Sequence, residues 1–107
     1  MDFAVSIIEL VKSLKEKRES IISNQIGRSG TSIGANIREA QYAHGKADFI
    51  AKLQIALKEC YETEYWIELF VKSKLIEPDC TKDLFNQCGT IRRILIASIN
   101  TAKENNS

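Results

Sequence analysis

The stretch Gln25–Ala40, QIGRSGTSIGANIREA, decides the fold, because small and polar residues stand there between two apolar helical patterns. Gly27, Gly30 and Gly34 lie within it. Each glycine costs about 1 kcal/mol of helix propensity relative to alanine, so a helix that carries them needs close packing against another helix. The stretch therefore predicts a second helix whose small and polar side chains lie against the long helix that follows it.

Apolar residues on both sides of this stretch recur at steps of three and four residues, which is the spacing of an amphipathic helix. The first helix carries Phe3, Ile7, Leu10, Val11 and Leu14, and the charged run at residues 15–18 is interpreted as a turn. The second helix is predicted over roughly residues 19–43 and the third over roughly residues 46–73. The fourth begins at Pro78, since proline starts a helix more readily than it continues one.

No segment alternates apolar and polar residues with the period of a strand, and no internal repeat is present. At 107 residues the chain has the length of one domain. The sequence thus predicts a single domain, residues 1–107, with an all-α fold: an antiparallel up-down four-helix bundle joined by short turns.

Charge and cysteine content restrict the class of protein. Lysine and arginine total 15 against 14 aspartates and glutamates, and the net charge of +1 argues against binding nucleic acid by bulk charge alone. The chain has three cysteines and no C-x-x-C pair, and it opens without a basic leader. No apolar stretch approaches the roughly 20 residues that cross a bilayer. We therefore expect a reduced, cytoplasmic setting and no membrane association.

Polar residues on the predicted second helix fall at alternating steps of four and three, which places them on one helical face. Such a stripe is either a functional polar site inside the bundle or a hydrogen-bonded network that fixes how two helices pair. We favour the network, because buried polar groups need partners and often specify pairing without chemistry. The stripe and its expected partners are Gln25, Arg28, Ser29, Ser32, Asn36, Glu39, Glu59 and Glu62.

Catalytic and metal-binding patterns are weak. The glycines lack the Gly-Lys-Ser/Thr ending of a phosphate-binding loop, and no strand precedes them. His44 is the only histidine, no Glu-x-x-His motif occurs, and the cysteine spacings match no usual zinc site. Cys60 and Cys88 lie on apolar stripes, which indicates buried, inert thiols, whereas Cys80 is the expected exposed thiol. No catalytic residue, no metal site and no cofactor is predicted.

Basic residues cluster modestly in two places. The first choice for a nucleic-acid contact comprises Lys12, Lys15, Lys17 and Arg18, and the second comprises Arg92 and Arg93. The alternative is an ordinary solvated surface, which is what short runs of charge usually form.

Tyr61, Tyr65 and Trp66 occupy helical positions that cannot all face the core of one protomer. Aromatic rings with a polar tip suit a subunit interface, so this is one interpretation. The other, equally open, is a wide buried face on a central helix.

Two segments carry a family resemblance: RSGTSIGANIREA, and then KADFIAKLQIALKECYETEYW. Together they resemble the four-helix bundle family encoded by intervening sequences of 23S ribosomal RNA, to which accessory proteins of diversity-generating retroelements are related. Those accessory proteins assemble as ring-like homopentamers that contact nucleic acid and a reverse transcriptase.

The resemblance implies a non-enzymatic accessory or adaptor protein that forms a homo-oligomer, with a pentamer as the expected size. It further implies RNA, DNA or a protein as partner. The near-neutral charge favours the alternative, a purely structural protein-interaction module without nucleic-acid binding.

Overall fold

Four helices form the regular structure of the residues described, which are 2–16, 20–73 and 78–105 in this computed structural model. They are α1 (Asp2–Glu16), α2 (Ser20–Gln41), α3 (Lys46–Lys72) and α4 (Pro78–Glu104). No strand occurs among these residues, so the predicted all-α class is confirmed.

The helix ends follow local sequence signals. Pro78 is the first residue of α4, as predicted, because its missing N–H is not needed in the first turn. Asp48 and Asp79 stand in the first turns of α3 and α4, where a carboxylate interacts favourably with the helix dipole. Gly45 precedes α3 with φ of 157°, a backbone conformation that favours glycine.

Neighbouring helices run antiparallel. Lys46, at the start of α3, donates to the backbone carbonyl of Asn105 just beyond the end of α4, and farther along Glu64 pairs with Arg92. A short turn at residues 42–45 joins α2 to α3. Each of α1 and α3 contacts both α2 and α4, in a particle of 52 × 20 × 20 Å. The predicted up-down bundle is confirmed.

The core consists of two clusters stacked along the bundle. Phe3 of α1 packs against both of them. The first cluster comprises Ile7, Leu10, Ile26, Ile67, Phe70 and Leu84. The second comprises Ile33, Ala40, Leu53, Ala56, Cys60, Cys88, Leu95 and Ile99. The first cluster includes residues of α1 and the second does not, because α1 is the shortest helix.

The glycines of α2 correct one prediction. We expected them to lie against α3, but two of them face α1. A Cβ atom added at Gly30 would lie 2.6–2.9 Å from three atoms of Ile7, and one added at Gly27 would lie 3.1 Å from Val11. A Cβ atom added at Gly34 would have no such neighbouring atom within 4 Å. Two of the glycines therefore lie against α1, whereas the buried Ser29 lies against Thr63 of α3, because α2 turns its glycines and its serines toward different neighbours.

The predicted boundaries differ slightly from those observed. The second helix ends at Gln41 rather than near Ala43, and the first extends to Glu16, into the run interpreted as a turn. The remainder of that turn, residues 17–19, lies outside the described residues.

Candidate functional site

A polar seam joins α2 to α3. The Arg28 guanidinium contacts both oxygens of the Glu59 carboxylate, at 3.3 and 3.4 Å, and also bonds to Glu62. The Trp66 indole N–H donates to the same Glu62 carboxylate at 3.4 Å. Glu59 is buried and Arg28 half-exposed, so the arginine neutralises a carboxylate that would otherwise be costly to desolvate.

The buried centre of the seam is a pair of hydroxyl groups. Thr63 Oγ1 lies 2.9 Å from Ser29 Oγ and 2.8 Å from the Glu59 carbonyl oxygen, and both side chains are fully buried. Ser29 also lies 3.4 Å from the Ile26 carbonyl oxygen. The contact between Thr63 and Ser29 joins α2 to α3, and a shift of either helix would break it. Each hydroxyl also has a backbone carbonyl acceptor in its own helix.

The remaining residues of the predicted stripe do not join this seam. Asn36 donates to the backbone and hydroxyl oxygens of Ser32 within α2. Glu39 is exposed and pairs with Lys52 of α3 at 3.6 Å. Gln25 is half-buried and forms no side-chain bond to the others among the described residues. The expected continuous network is therefore three separate sets of contacts.

Thr63 is the residue of the seam that sequence reasoning missed. It lies four positions after Glu59 on the apolar side of α3, where a lone threonine among hydrophobic residues was the available signal. Ser23 on α2, a second small polar residue that is fully buried, was also not identified from the sequence.

The seam offers little chemistry of its own. Its carboxylates are paired with an arginine, and within the described ranges no group of three or more histidine, cysteine, aspartate or glutamate side chains could hold a metal ion. Nor does any buried side-chain nitrogen or oxygen atom described here lack a hydrogen-bond partner. The geometry is that of a register-fixing contact.

Cys60 and Cys88 meet in the second core cluster, both fully buried and both free thiols. Cys88 Sγ lies 3.5 Å from the Cys60 carbonyl oxygen. The hydrogen bond with the Cys60 side chain, followed by burial, raises the pKa of the Cys88 thiol far above its ordinary range. Such a thiol stays protonated and unreactive. The side chain of Cys80, predicted to be the exposed thiol, lies outside the described residues.

The two basic clusters have different surroundings. Arg92 donates to Glu64 at 2.7 Å and lies 5.7 Å from the centre of the Tyr61 ring. The bond to Glu64 is the main cause of its raised pKa. Arg93 is exposed, and within the described part of the chain its guanidinium bonds to Thr90 alone. One member of the second cluster is thus already engaged between α3 and α4, whereas its neighbour faces solvent.

Lys12 is exposed on α1, without an ion pair among the residues described. The rest of the first cluster, the Lys15 side chain, Lys17 and Arg18, lies outside the described residues.

The three aromatic residues divide between surface and core. Tyr61 and Tyr65 are exposed on α3, whereas Trp66 is half-buried and packs against the first core cluster. The Tyr65 and Trp66 rings meet edge to face, with centroids 5.2 Å apart. Two of these three aromatic side chains are therefore accessible on the protomer.

Exposed apolar side chains on other helices were also missed. Val5 and Ile8 project from α1 and Ile94 from α4. The signal was present, because Val5 and Ile8 are apolar yet fall off the stripe that Phe3 and Ile7 define. An amphipathic helix buries one apolar stripe in the core, so apolar residues outside that stripe form a second apolar surface.

These observations define a class of helical scaffold: an up-down bundle with an internal seam and apolar residues on its surface. The chain belongs to the family described as 23S rRNA-intervening sequence protein, whose family model matches residues 1–97. This confirms the family predicted from the two resembling segments.

A crystal structure of a protein with unknown function from the S23 ribosomal protein family, from Bacteroides thetaiotaomicron VPI-5482, is similar to this chain. The two are 50% identical in sequence over 92% of each chain, with a TM-score of 0.89. No curated protein matches the chain. Among the described residues, no helix is long and apolar enough to cross a membrane.

Proposed function

We propose that the chain is a non-enzymatic accessory or adaptor protein that self-associates and positions a nucleic acid or a protein partner. The observation that carries this proposal is the division between its interior and its surface. Every buried side-chain nitrogen and oxygen atom in the described residues has a hydrogen-bond partner. Large apolar side chains, by contrast, remain exposed on α1, α3 and α4. The protein would act through its outer faces.

Self-association is supported by the grouping of these side chains. Single exposed hydrophobic residues are ordinary on a protein surface. Here Val5 and Ile8 are one helical turn apart on α1, and Tyr61 and Tyr65 are one turn apart on α3. Paired apolar residues on one helical face suit contacts between subunits, and the proposed assembly is a homo-oligomer, with a pentamer as its expected size.

A nucleic-acid role is supported by Lys12 and Arg93, which are exposed. One protomer has few such charges, but several copies in one assembly would present each of these two basic positions repeatedly to an RNA or DNA backbone. The matching family takes its description from 23S rRNA, which makes RNA the first nucleic acid to test.

The alternative function is a purely structural protein-interaction module without nucleic-acid binding. Two observations favour it: the net charge is +1, and Arg92 is already paired with Glu64. In this version the same exposed faces contact only protein.

Salt-dependent binding separates the two versions. Fluorescence anisotropy with labelled RNA and DNA, between about 50 mM and about 200 mM salt, should show binding that weakens steeply as salt rises if phosphates are contacted. The double variant Lys12→Glu and Arg93→Glu should weaken binding. The double variant Lys58→Glu and Lys103→Glu changes two exposed lysines on α3 and α4 and alters the net charge equally, so it serves as the matched control and should have a smaller effect.

Absence of binding at low salt, by an oligomer of known mass, would remove the nucleic-acid role and leave the structural module. Equal losses from the two double variants would place any contact elsewhere on the surface. Recovery of the native complex from cells, with both its nucleic acids and its proteins identified, would then name the partner.

A further inference from the structure

An apolar trough runs between α2 and α4 at the end of the bundle where α1 begins, and Phe3 and Ala4 of α1 form part of its wall. Two adjoining cavities of about 460 and 330 Å³ form it, and both include Ile37, Gln41 and Ile91 in their walls. We call this surface the α2/α4 trough. Its principal lining residues are Ile33, Gly34, Ile37, Ile91, Ile94 and Leu95.

The trough exists because the helices differ in length. α1 has 15 residues, whereas α2 has 22 and α4 has 27. At 1.5 Å per residue α2 is about 10 Å longer than α1, or roughly two helical turns. Over that length α2 and α4 lack the neighbour that α1 supplies at the other end of the bundle.

None of the described segments, residues 2–16, 20–73 and 78–105, lies over the trough along its length. Ile94 in its wall is 59% exposed. The trough is therefore an open apolar surface of the described protomer.

Gly34 is an independent sign that a helix lies there. A glycine inside a helix costs about 1 kcal/mol relative to alanine. At Gly30 the packing of Ile7 offsets that cost, but a Cβ atom at Gly34 would meet nothing within 4 Å of the same chain. Gly34 continues the surface on which α2 receives α1, and it leaves room for the close approach of a second helix.

We propose that α1 of a second copy of this chain occupies the trough, through its outward face. Val5 and Ile8 are 51% and 47% exposed and form a convex apolar ridge. Asp2 and Glu9 flank Val5 at steps of three and four residues, and neither forms an ion pair among the residues described. Arg38, exposed at the wall of the trough, is likewise unpaired there, so the two surfaces match in both polarity and charge.

Shape excludes the simplest alternative between copies. Two troughs placed face to face are both concave and would enclose a void, whereas a helix ridge fills a groove. The contact thus joins two different surfaces of the same chain. Repetition of such a contact gives a closed ring when the rotation closes and a filament when it does not. This inference rests on the self-association in the proposed function and names the surfaces that perform it.

The first experiment is Gly34→Leu, with the size of the assembly measured by light scattering or sedimentation from about 1 µM to about 100 µM protein. Leucine has room in the isolated protomer, so helicity by circular dichroism should not change. It should block the incoming helix and weaken assembly roughly tenfold to a hundredfold. Ala35→Leu adds the same bulk one position away on the exposed face of α2, outside the trough, and should assemble like the wild type.

The second experiment identifies the occupant. Arg38→Glu and Glu9→Arg should each weaken assembly several-fold, and an equal mixture of the two single variants, or the double variant, should recover it in part. Recovery of this kind requires that these two positions meet between copies.

Three other outcomes would each contradict one part of the proposal: self-association, the use of the trough, or α1 as its occupant. A wild-type protein that stays monomeric throughout the concentration range removes both the self-association and this contact. An oligomer in which Gly34→Leu behaves like Ala35→Leu keeps self-association but excludes the trough. Loss of assembly in Gly34→Leu without any recovery in the charge exchange shows that another surface, rather than α1, fills the trough.

Discussion

The two ends of the bundle differ in how many helices enclose the core. Around the first core cluster α1 is present, and Ile7 is completely buried against α2. Beyond the start of α1, the described residues continue as α2, α3 and α4, and Ile94 is 59% exposed. Gly30 and Gly34 show the contrast on one helix, since the first is packed and the second is open. The length of α1, rather than the composition of α2, decides which half of the bundle is closed.

Truncation of one isoleucine in each half should give the largest difference. Ile7→Ala removes a fully buried side chain and leaves a cavity, so we expect the free energy of unfolding to fall by roughly 2–5 kcal/mol. Ile94→Ala removes a largely exposed side chain and should lower it by less than about 1 kcal/mol. Urea unfolding of both variants, followed by circular dichroism, measures the two values.

The measurement should be made at two protein concentrations, because self-association adds stability that depends on concentration. Similar losses at the lower concentration would contradict the division of the bundle into a closed and an open half.

The two glycines provide the next comparison, and they should respond with opposite signs. Gly30→Ala places a methyl group within 2.9 Å of the branched Ile7 side chain, so overpacking should lower the free energy of unfolding by roughly 1–3 kcal/mol. Gly34→Ala meets no atom and should raise it by up to about 1 kcal/mol in the isolated protomer. Thermal unfolding at low protein concentration tests both.

A stabilised Gly30→Ala protein would mean that α1 does not approach α2 as closely as described. A destabilised Gly34→Ala monomer would mean that Gly34 is already covered by part of its own chain.

Much of the fold could be predicted from the sequence, because it depends on local signals. The apolar stripe of α3 fixes a long helix, and Pro78 marks the start of α4. The partner of the glycines could not be predicted in this way, although the wheel of α2 already separates Ser29 from Gly30 by about 100°. The sequence thus predicts that the serines and the glycines of α2 lie on two different faces. Which helix each face receives depends on helix lengths and turns, which act over the whole chain.

The candidate site was predictable in composition and less so in geometry. Arg28 does meet Glu59 and Glu62, as their positions suggested. Glu39 lies on the same stripe but near the end of α2, and it is exposed. A helical wheel shows the direction in which a side chain points but not whether a neighbouring helix covers it. The neighbouring helices determine which parts of the stripe are buried, so its residues form several separate sets of contacts.

The last comparison tests whether the core beneath the α2/α4 trough is dry. Cys88 belongs to the second core cluster, and its hydrogen bond with Cys60, together with burial, raises the pKa of its thiol well above the ordinary value of 9.0. Below pH 9 the thiol is protonated in both the folded and the unfolded chain, so it contributes no pH dependence. Above pH 9 only the unfolded chain releases this proton.

The free energy of unfolding should therefore fall by up to about 1.4 kcal/mol per pH unit above pH 9 on account of this one thiol. Urea unfolding under reducing conditions, from about pH 8 to about pH 10.5, should show a steeper fall for the wild type than for Cys88→Ala. The cavity in the variant lowers stability equally at every pH, and the other titrating groups are common to both proteins, so the difference in slope isolates Cys88. Parallel slopes would mean that the thiol ionises in the folded chain. Water would then penetrate the open half as far as the second core cluster, and a second copy of α1 would have to expel it to bind.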